Sequence, residues 1–106
     1  MFIRSLFVLI LGFSSLSAKV SFNDEIRPLL SNSCYRCHGP DKEDRKAKLR
    51  LDTREGATKD HKGFTAISPG KIEDSELIYR IVTDDEDEMM PPPGKGARFT
   101  KEQIEL

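Results

Sequence analysis

The sequence of 106 residues has no excess of either charge. Its 17 Lys and Arg residues nearly balance its 18 Asp and Glu residues, so the formal net charge is −1. Proteins that bind nucleic acid or an anionic membrane surface usually carry a marked positive excess. The composition therefore indicates neither of these partners.

The sequence also lacks the motifs that most enzymes show. It contains no nucleophile–base pair recognisable as a motif, no Gly-rich loop for a phosphate, no second cluster of metal-binding residues and no internal repeat. We therefore expect no enzyme active site in these residues. An enzymatic domain after residue 106 would be compatible with them.

No apolar run reaches the roughly 20 residues that a bilayer crossing takes. The run at 6–13 follows the basic Arg4 and precedes a stretch of mostly small residues at 14–18, an order typical of a secretory signal peptide. We predict a signal peptide at 1–18 and an exported domain at 19–106, in the periplasm or secreted, without a stable membrane span. An uncleaved anchor is the alternative. Leu16 is a poor residue for a cut after Ala18, so the cleavage position stays open.

Cysteine is scarce, and both cysteines belong to one motif, Cys34-Tyr35-Arg36-Cys37-His38. C-x-x-C-H is the attachment site of c-type haem. Two thiols on one helical turn can each bond to one vinyl group of the same porphyrin, and the adjacent histidine then becomes the proximal iron ligand. The alternatives are a redox C-x-x-C that forms a disulfide, or half of a zinc site. Export favours haem, because c-type haem is joined to the chain outside the cytoplasm.

One covalent haem would give a role to both cysteines and to the histidine of the motif. We expect Cys34 and Cys37 to form thioether bonds and His38 to coordinate iron through one imidazole nitrogen. The other nitrogen should donate to a backbone carbonyl that orients the ring. A buried porphyrin would also enlarge the thin core that so small a domain can build.

The second axial ligand is less defined by the sequence. Met89 and Met90 precede three consecutive prolines, whose fixed φ angles would hold a ligand loop stiffly beside the haem. A thioether suits an electron carrier, because it raises the reduction potential. We favour Met90, with Met89, His61 and an open position as alternatives. Arg50 and Arg54 are candidate partners for the haem propionates.

Hydrophobic spacing and capping residues predict short helices. We expect a first helix within 19–33, with Asn23 as its N-cap and a kink or restart at Pro28, and a second helix over 72–82. The predicted non-helical segments are a charged loop at 41–48, an extended segment at 49–53, a turn at 68–70 and an acidic loop at 84–88.

The end of the sequence signals a further helix. Thr100 and Gln103 form a capping box, and Phe99 and Ile104 a hydrophobic staple. Only a few residues follow these signals, whereas an isolated helix needs about 12 or more to be marginally stable. We expect this domain to continue into further domains of a longer chain.

Several motifs in the same order resemble the planctomycete-type cytochrome c domain. They are IRPLL at 26–30, CYRCHGP at 34–40, LRLDTREG at 49–56, SPG at 68–70, SELI at 75–78 and MPPP at 90–93. The resemblance implies a small all-α cytochrome c fold around one covalent haem, with His38 as proximal and Met90 as distal ligand. It also implies an N-terminal position in a larger secreted protein. The sequence departs from the family pattern at the C-terminal helix, which is incomplete here.

These observations predict a domain that carries single electrons to an unidentified redox partner protein. A haem-based sensor with an open sixth iron position is the alternative, and a haem-free disulfide module is another. The five consecutive acids at 84–88 are expected to be a solvated surface. Their alternative role is a docking patch that steers a basic partner.

Overall fold

The computed structural model describes Gly12 and residues 19–106. Apart from Gly12, the predicted signal peptide lies outside the described residues. The described residues form helices and no strand, with one isolated antiparallel bridge between Asp60 and Thr65. The four α-helices are α1 (Arg27–Ser33), α2 (Arg54–Thr58), α3 (Glu76–Val82) and α4 (Lys101–Glu105). In the part of the chain that the structure describes, no helix combines the length and apolar character of a membrane-spanning segment.

A π-helical turn, Phe22–Ile26, precedes α1 and changes the expected start of the first helix. Its N-cap is Ser21 and not Asn23, so that prediction is wrong. The Ser21 amide donates to the Glu25 carboxylate at 2.8 Å, which holds the cap on the first turn. Pro28 lies in the first turn of α1, a position that proline tolerates well. The predicted restart at this proline is confirmed.

The small core forms around the segment at 49–53. Leu49 and Leu51 are buried and the intervening Arg50 is partly exposed, as the alternating pattern predicts, although the segment forms no strand. Ala57 of α2 and Ala66 complete the buried cluster. The partly buried side chains packed on it are Cys34, Tyr35, Ile67 and Leu77. The core therefore lies directly behind the C-x-x-C-H motif.

The predicted helix at 72–82 is divided in two by Ser75. A 3₁₀ turn, Ile72–Asp74, precedes Ser75, whose extended backbone (φ −95°, ψ 105°) separates it from α3. The buried Ser75 hydroxyl accepts from the Ser68 amide and donates to the Lys71 carbonyl, both at 2.9 Å. These bonds attach the helix start to the preceding turn, which explains the break.

The turn at 68–70 agrees with its prediction. The Lys71 amide donates to the Ser68 carbonyl at 3.0 Å, and Gly70 has a φ of +75°. A positive φ at this place in a β-turn favours glycine, and a preceding proline supplies the fixed φ of the first corner. The tripeptide Ser-Pro-Gly therefore encodes the turn through its own backbone preferences.

The capping box at the last helix is confirmed. The Gln103 amide donates to the Thr100 hydroxyl at 3.2 Å, and the Thr100 amide donates to the Gln103 side-chain oxygen at 2.9 Å. Phe99 and Ile104 both border a small groove that is almost entirely apolar. The groove lies between α1, α3 and α4, and its other lining residues include Ile26, Leu29, Leu30, Leu77, Ile78 and Ile81.

Replacing Ser75 by alanine should lower the free energy of unfolding by about 1–3 kcal/mol, because two backbone groups lose the partner that the buried hydroxyl provides. Urea unfolding of the purified protein measures this change. Ser31→Ala is the matched control, since Ser31 is exposed on α1 and alanine is the better helix former. Equal midpoints for Ser75→Ala and the unchanged protein would show that the hydroxyl does not hold this turn.

Candidate functional site

The C-x-x-C-H motif forms one helical turn directly after α1. The Cys34 amide donates to the Leu30 carbonyl at 2.7 Å, which continues the α1 ladder into the motif. The His38 amide then donates to the Cys34 carbonyl at 2.9 Å, and the Cys37 amide to the same carbonyl at 3.3 Å. Both cysteines are free thiols and partly buried. The motif thus brings two thiols and an imidazole onto a single turn.

The segment after the motif folds back and holds this turn in place. The Lys46 amide donates to the Cys37 carbonyl, and the Leu51 amide donates to the His38 carbonyl, each at 2.7 Å. The sequence reasoning missed a third anchor, Arg45. Its guanidinium donates to the backbone carbonyls at 39 and 40, at 3.1 and 3.2 Å. No spacing pattern marks an arginine that binds main-chain carbonyls, so the sequence carried no signal for it.

Gly39 is required by the tight path of the chain after His38. It is buried, and a Cβ atom at this position would lie 2.1 Å from the Tyr35 carbonyl oxygen. Real Cβ contacts do not come that close, and the obstacle is backbone and not a movable side chain. Any larger residue would push the chain off the motif turn, so the CHG order has a steric cause.

His38 carries a buried nitrogen without a partner. Its Nδ1 atom is inaccessible to solvent and has no hydrogen bond within the described residues. The backbone groups that act on the ring are those of Lys46 and Leu49, and the predicted bond from the ring to a backbone carbonyl stays a prediction. Burial lowers the pKa of His38, and backbone groups of Lys46 and Leu49 oppose this shift more weakly. The imidazole is thus favoured in its neutral form, which is the form that binds metals.

The thiol of Cys34 differs from that of a redox dithiol. Desolvation by burial raises the pKa of Cys34 to about 11. Reactive C-x-x-C motifs instead have lowered thiol pKa values, because the thiolate is the nucleophile. This shift argues against the redox alternative. Among the described residues, no group of three or more His, Cys, Asp or Glu side chains is arranged to hold a metal ion.

Met89 and Met90 lie at the end of the acidic loop, and both are partly buried. The Met89 amide donates to the Asp85 carbonyl at 2.8 Å, and the Met90 amide donates to the Arg80 carbonyl of α3 at 2.9 Å. Pro91 follows, joined to Met90 by a cis peptide bond, and is buried. Met90 is therefore the methionine whose backbone is attached to a helix.

His61 lies in a separate loop, where its ring stacks on Phe64 with a centroid distance of 4.8 Å and an interplanar angle of 4°. Its backbone amide donates to the Phe64 carbonyl at 2.9 Å, so ring and backbone are both held within the loop. Its Nε2 atom is buried without a partner among the described residues. His61 is thus partly buried.

His61 also borders a mainly basic cleft of about 300 Å³. The basic residues that line it are Arg45, Lys48, Arg50 and Lys59. Arg50 is already engaged, because it donates to both carboxylate oxygens of Asp52 at 3.0 and 2.6 Å. This bond holds the pKa of Asp52 below its usual value. Arg54, the other candidate for the propionates, is exposed at the start of α2.

Comparison with known protein families places the site in context. The sequence profile described as Planctomycete cytochrome C matches residues 34–94, a span that begins at the first cysteine of the motif and includes both methionines. Searches of curated proteins and of solved structures found no match. The matched span covers more than half of the chain. The chain therefore belongs to the planctomycete cytochrome C family, and a cytochrome is a haem-binding protein.

Proposed function

We propose that this chain is an exported c-type cytochrome domain that binds one covalent haem and carries single electrons. The observation that carries the proposal is the motif turn, which presents the Cys34 and Cys37 thiols and the His38 imidazole within the family match. When bound, the haem supplies a one-electron couple between ferric and ferrous iron. The chain supplies attachment, axial ligands and burial.

The two cysteines are proposed to attach the porphyrin. Each thiol would add across one vinyl double bond, with a carbon–sulfur bond formed and the thiol hydrogen passed to the other vinyl carbon. Both thiols are free and lie on one turn, which suits two bonds to one ring. His38 follows on the same turn, so one nitrogen of its partly buried imidazole could coordinate the iron while the other donates to a backbone carbonyl.

His38 and Met90 are proposed as the two residues that would coordinate the haem iron. The lowered pKa of His38 keeps the imidazole neutral and able to offer a lone pair. The attachment of the Met90 amide to α3 supports this methionine over Met89, whose amide is bonded only within its own loop. A thioether ligand stabilises ferrous relative to ferric iron and so raises the reduction potential.

A porphyrin would also complete an otherwise small interior. Only six hydrophobic residues of the described chain are buried, and no large side chain among them is wholly enclosed. A domain of this size usually needs a cofactor or another staple. We therefore propose that the helices close around the haem as an all-α cytochrome c fold.

The cellular setting of this domain is also a proposal. A signal peptide at 1–18 would deliver the domain at 19–106 to the periplasm or the exterior, where c-type haem is attached. We expect it to exchange electrons with a partner protein that remains to be identified.

Covalent attachment predicts that the protein, matured in a host with c-type haem assembly, gains the mass of one haem. The gain should survive denaturation, because thioether bonds do not dissociate. The Cys34→Ser/Cys37→Ser double variant should lose haem on denaturation, and each single variant should keep it through one bond. Intact-mass spectrometry measures this. A mass lower by two hydrogens, with no Soret absorbance, would instead indicate a disulfide module.

Met90→Ala should abolish the weak red absorption band that methionine-ligated ferric haem shows, because the thioether is removed. It should also lower the reduction potential. Met89→Ala is the matched control and should retain the band. Visible spectroscopy and a redox titration measure both effects. Loss of the band in Met89→Ala alone would transfer the ligand role to Met89, and no band in the unchanged protein would favour the sensor alternative.

A further inference from the structure

We propose that Arg80 is a positioning residue for the distal ligand: it fastens the segment that carries Met90 to α3 and so determines how firmly the thioether holds the iron. This inference rests on the proposed role of Met90. It also assigns a function to a loop whose acidic sequence predicted a solvated surface, with a docking patch as the alternative.

Arg80 forms hydrogen bonds to the residues on both sides of Met89. Its backbone carbonyl accepts from the Met90 amide at 2.9 Å, and its guanidinium Nη1 donates to the Glu88 carbonyl at 3.2 Å. The two bonds reach residues 88 and 90 from one side chain and one peptide unit of a helix. A helix residue that holds both residue 90 and residue 88 restricts the backbone leading into Met90 more than either bond alone.

Two neighbours on α3 reinforce this grip. The Glu76 carboxylate accepts from Arg80 Nε at 3.2 Å, one helical turn away, and so orients the guanidinium. The Tyr79 hydroxyl donates to the Glu88 carboxylate. Glu88 is therefore held through its backbone by Arg80 and through its side chain by Tyr79.

Arg98 fixes the other end of the same segment. Its guanidinium donates to the Asp84 carboxylate at 2.9 Å, to the Ile81 carbonyl at 3.3 Å and to the Thr83 carbonyl. These carbonyls lie at the C-terminal end of α3, where main-chain oxygens need partners and a positive charge is favourable. The segment at 83–90 is thus fastened to α3 at its beginning and at its end.

The consequence concerns the stability of the iron–thioether bond. A ligand on a free loop loses backbone entropy each time it binds, whereas a loop already fastened loses less. The bonds of Arg80 therefore favour the ligated arrangement without touching the iron. Loosening them should make the thioether easier to displace by a competing ligand.

Imidazole is a suitable competitor, because it binds ferric haem when the distal ligand leaves. In the full-length ferric holoprotein, Arg80→Ala should lower the apparent dissociation constant for imidazole by about threefold to tenfold. This is the effect of one lost hydrogen bond from a charged group, reduced because the side chain is partly exposed. Met90→Ala, with no thioether to displace, should bind imidazole most tightly.

Two milder variants test the same point if Arg80→Ala does not fold. Arg80→Lys keeps the charge but lacks the planar fork that reaches two partners. Glu76→Gln removes the charge that orients the guanidinium. Both should shift imidazole binding in the direction of Arg80→Ala, by a smaller factor.

Lys101→Ala is the matched control. It removes another ion pair with i,i+4 spacing, to Glu105 on α4, at a place with no hydrogen bond to the segment at 83–90. It should bind imidazole like the unchanged protein. If the Arg80 and Glu76 variants also behave like the unchanged protein while Met90→Ala binds more tightly, the positioning role is wrong and the ligand assignment stands. If Met90→Ala itself binds no more tightly, the ligand assignment fails and the inference falls with it.

Discussion

The fold depends on two backbone hydrogen bonds that connect the motif turn to the segment that follows it in the chain. The Lys46 amide donates to the Cys37 carbonyl, and the Leu51 amide donates to the His38 carbonyl. The turn ends a helix of only seven residues, which is too short to be stable alone in water. Because Leu51 is also a core residue, the same segment fixes the backbone of the proposed ligand and begins the buried cluster. The segment at 49–53 therefore both positions the proposed ligand and contributes to the core.

Arginine side chains also hold loops in place through hydrogen bonds to main-chain carbonyls. Arg45, Arg80 and Arg98 each donate to one or more main-chain carbonyls that lie outside regular helix bonding. In a domain with a small core, a guanidinium can replace packing as the means of holding a loop, because several donors diverge from one rigid group. The two loops that carry the proposed ligands are both held in this way.

The features that the sequence predicted are those encoded within a few residues. The motif turn, the Ser-Pro-Gly turn and the Thr100–Gln103 capping box each depend on neighbours no more than four positions apart. The alternation at 49–53 also indicated correctly that Leu49 and Leu51 are buried.

The features that the sequence did not predict depend on contacts between residues far apart in the sequence, or on which of two nearby residues takes the same role. Ser75 divides a continuous apolar pattern because its hydroxyl bonds back to the turn seven residues earlier. Ser21 replaces Asn23 as N-cap because a π-helical turn moves the helix start. Arg98 reaches α3 across 15 to 17 positions, and no periodicity signals such a bond. Hydrophobic patterns indicate which face is buried, but they do not indicate which main-chain carbonyl an arginine side chain will bind.

The fastening of the acidic loop also changes how its charge acts at a distance. Five consecutive carboxylates suggest a strong negative field, yet Asp84 is paired with Arg98, and the guanidinium of Arg80 lies against the backbone of Glu88. Part of the field is therefore cancelled by cations of the same molecule. Added salt screens exposed charges over about 10 Å at 0.1 M ionic strength. The association rate of a cationic protein with this surface would therefore fall less steeply with added salt than it would if all five carboxylates were unpaired.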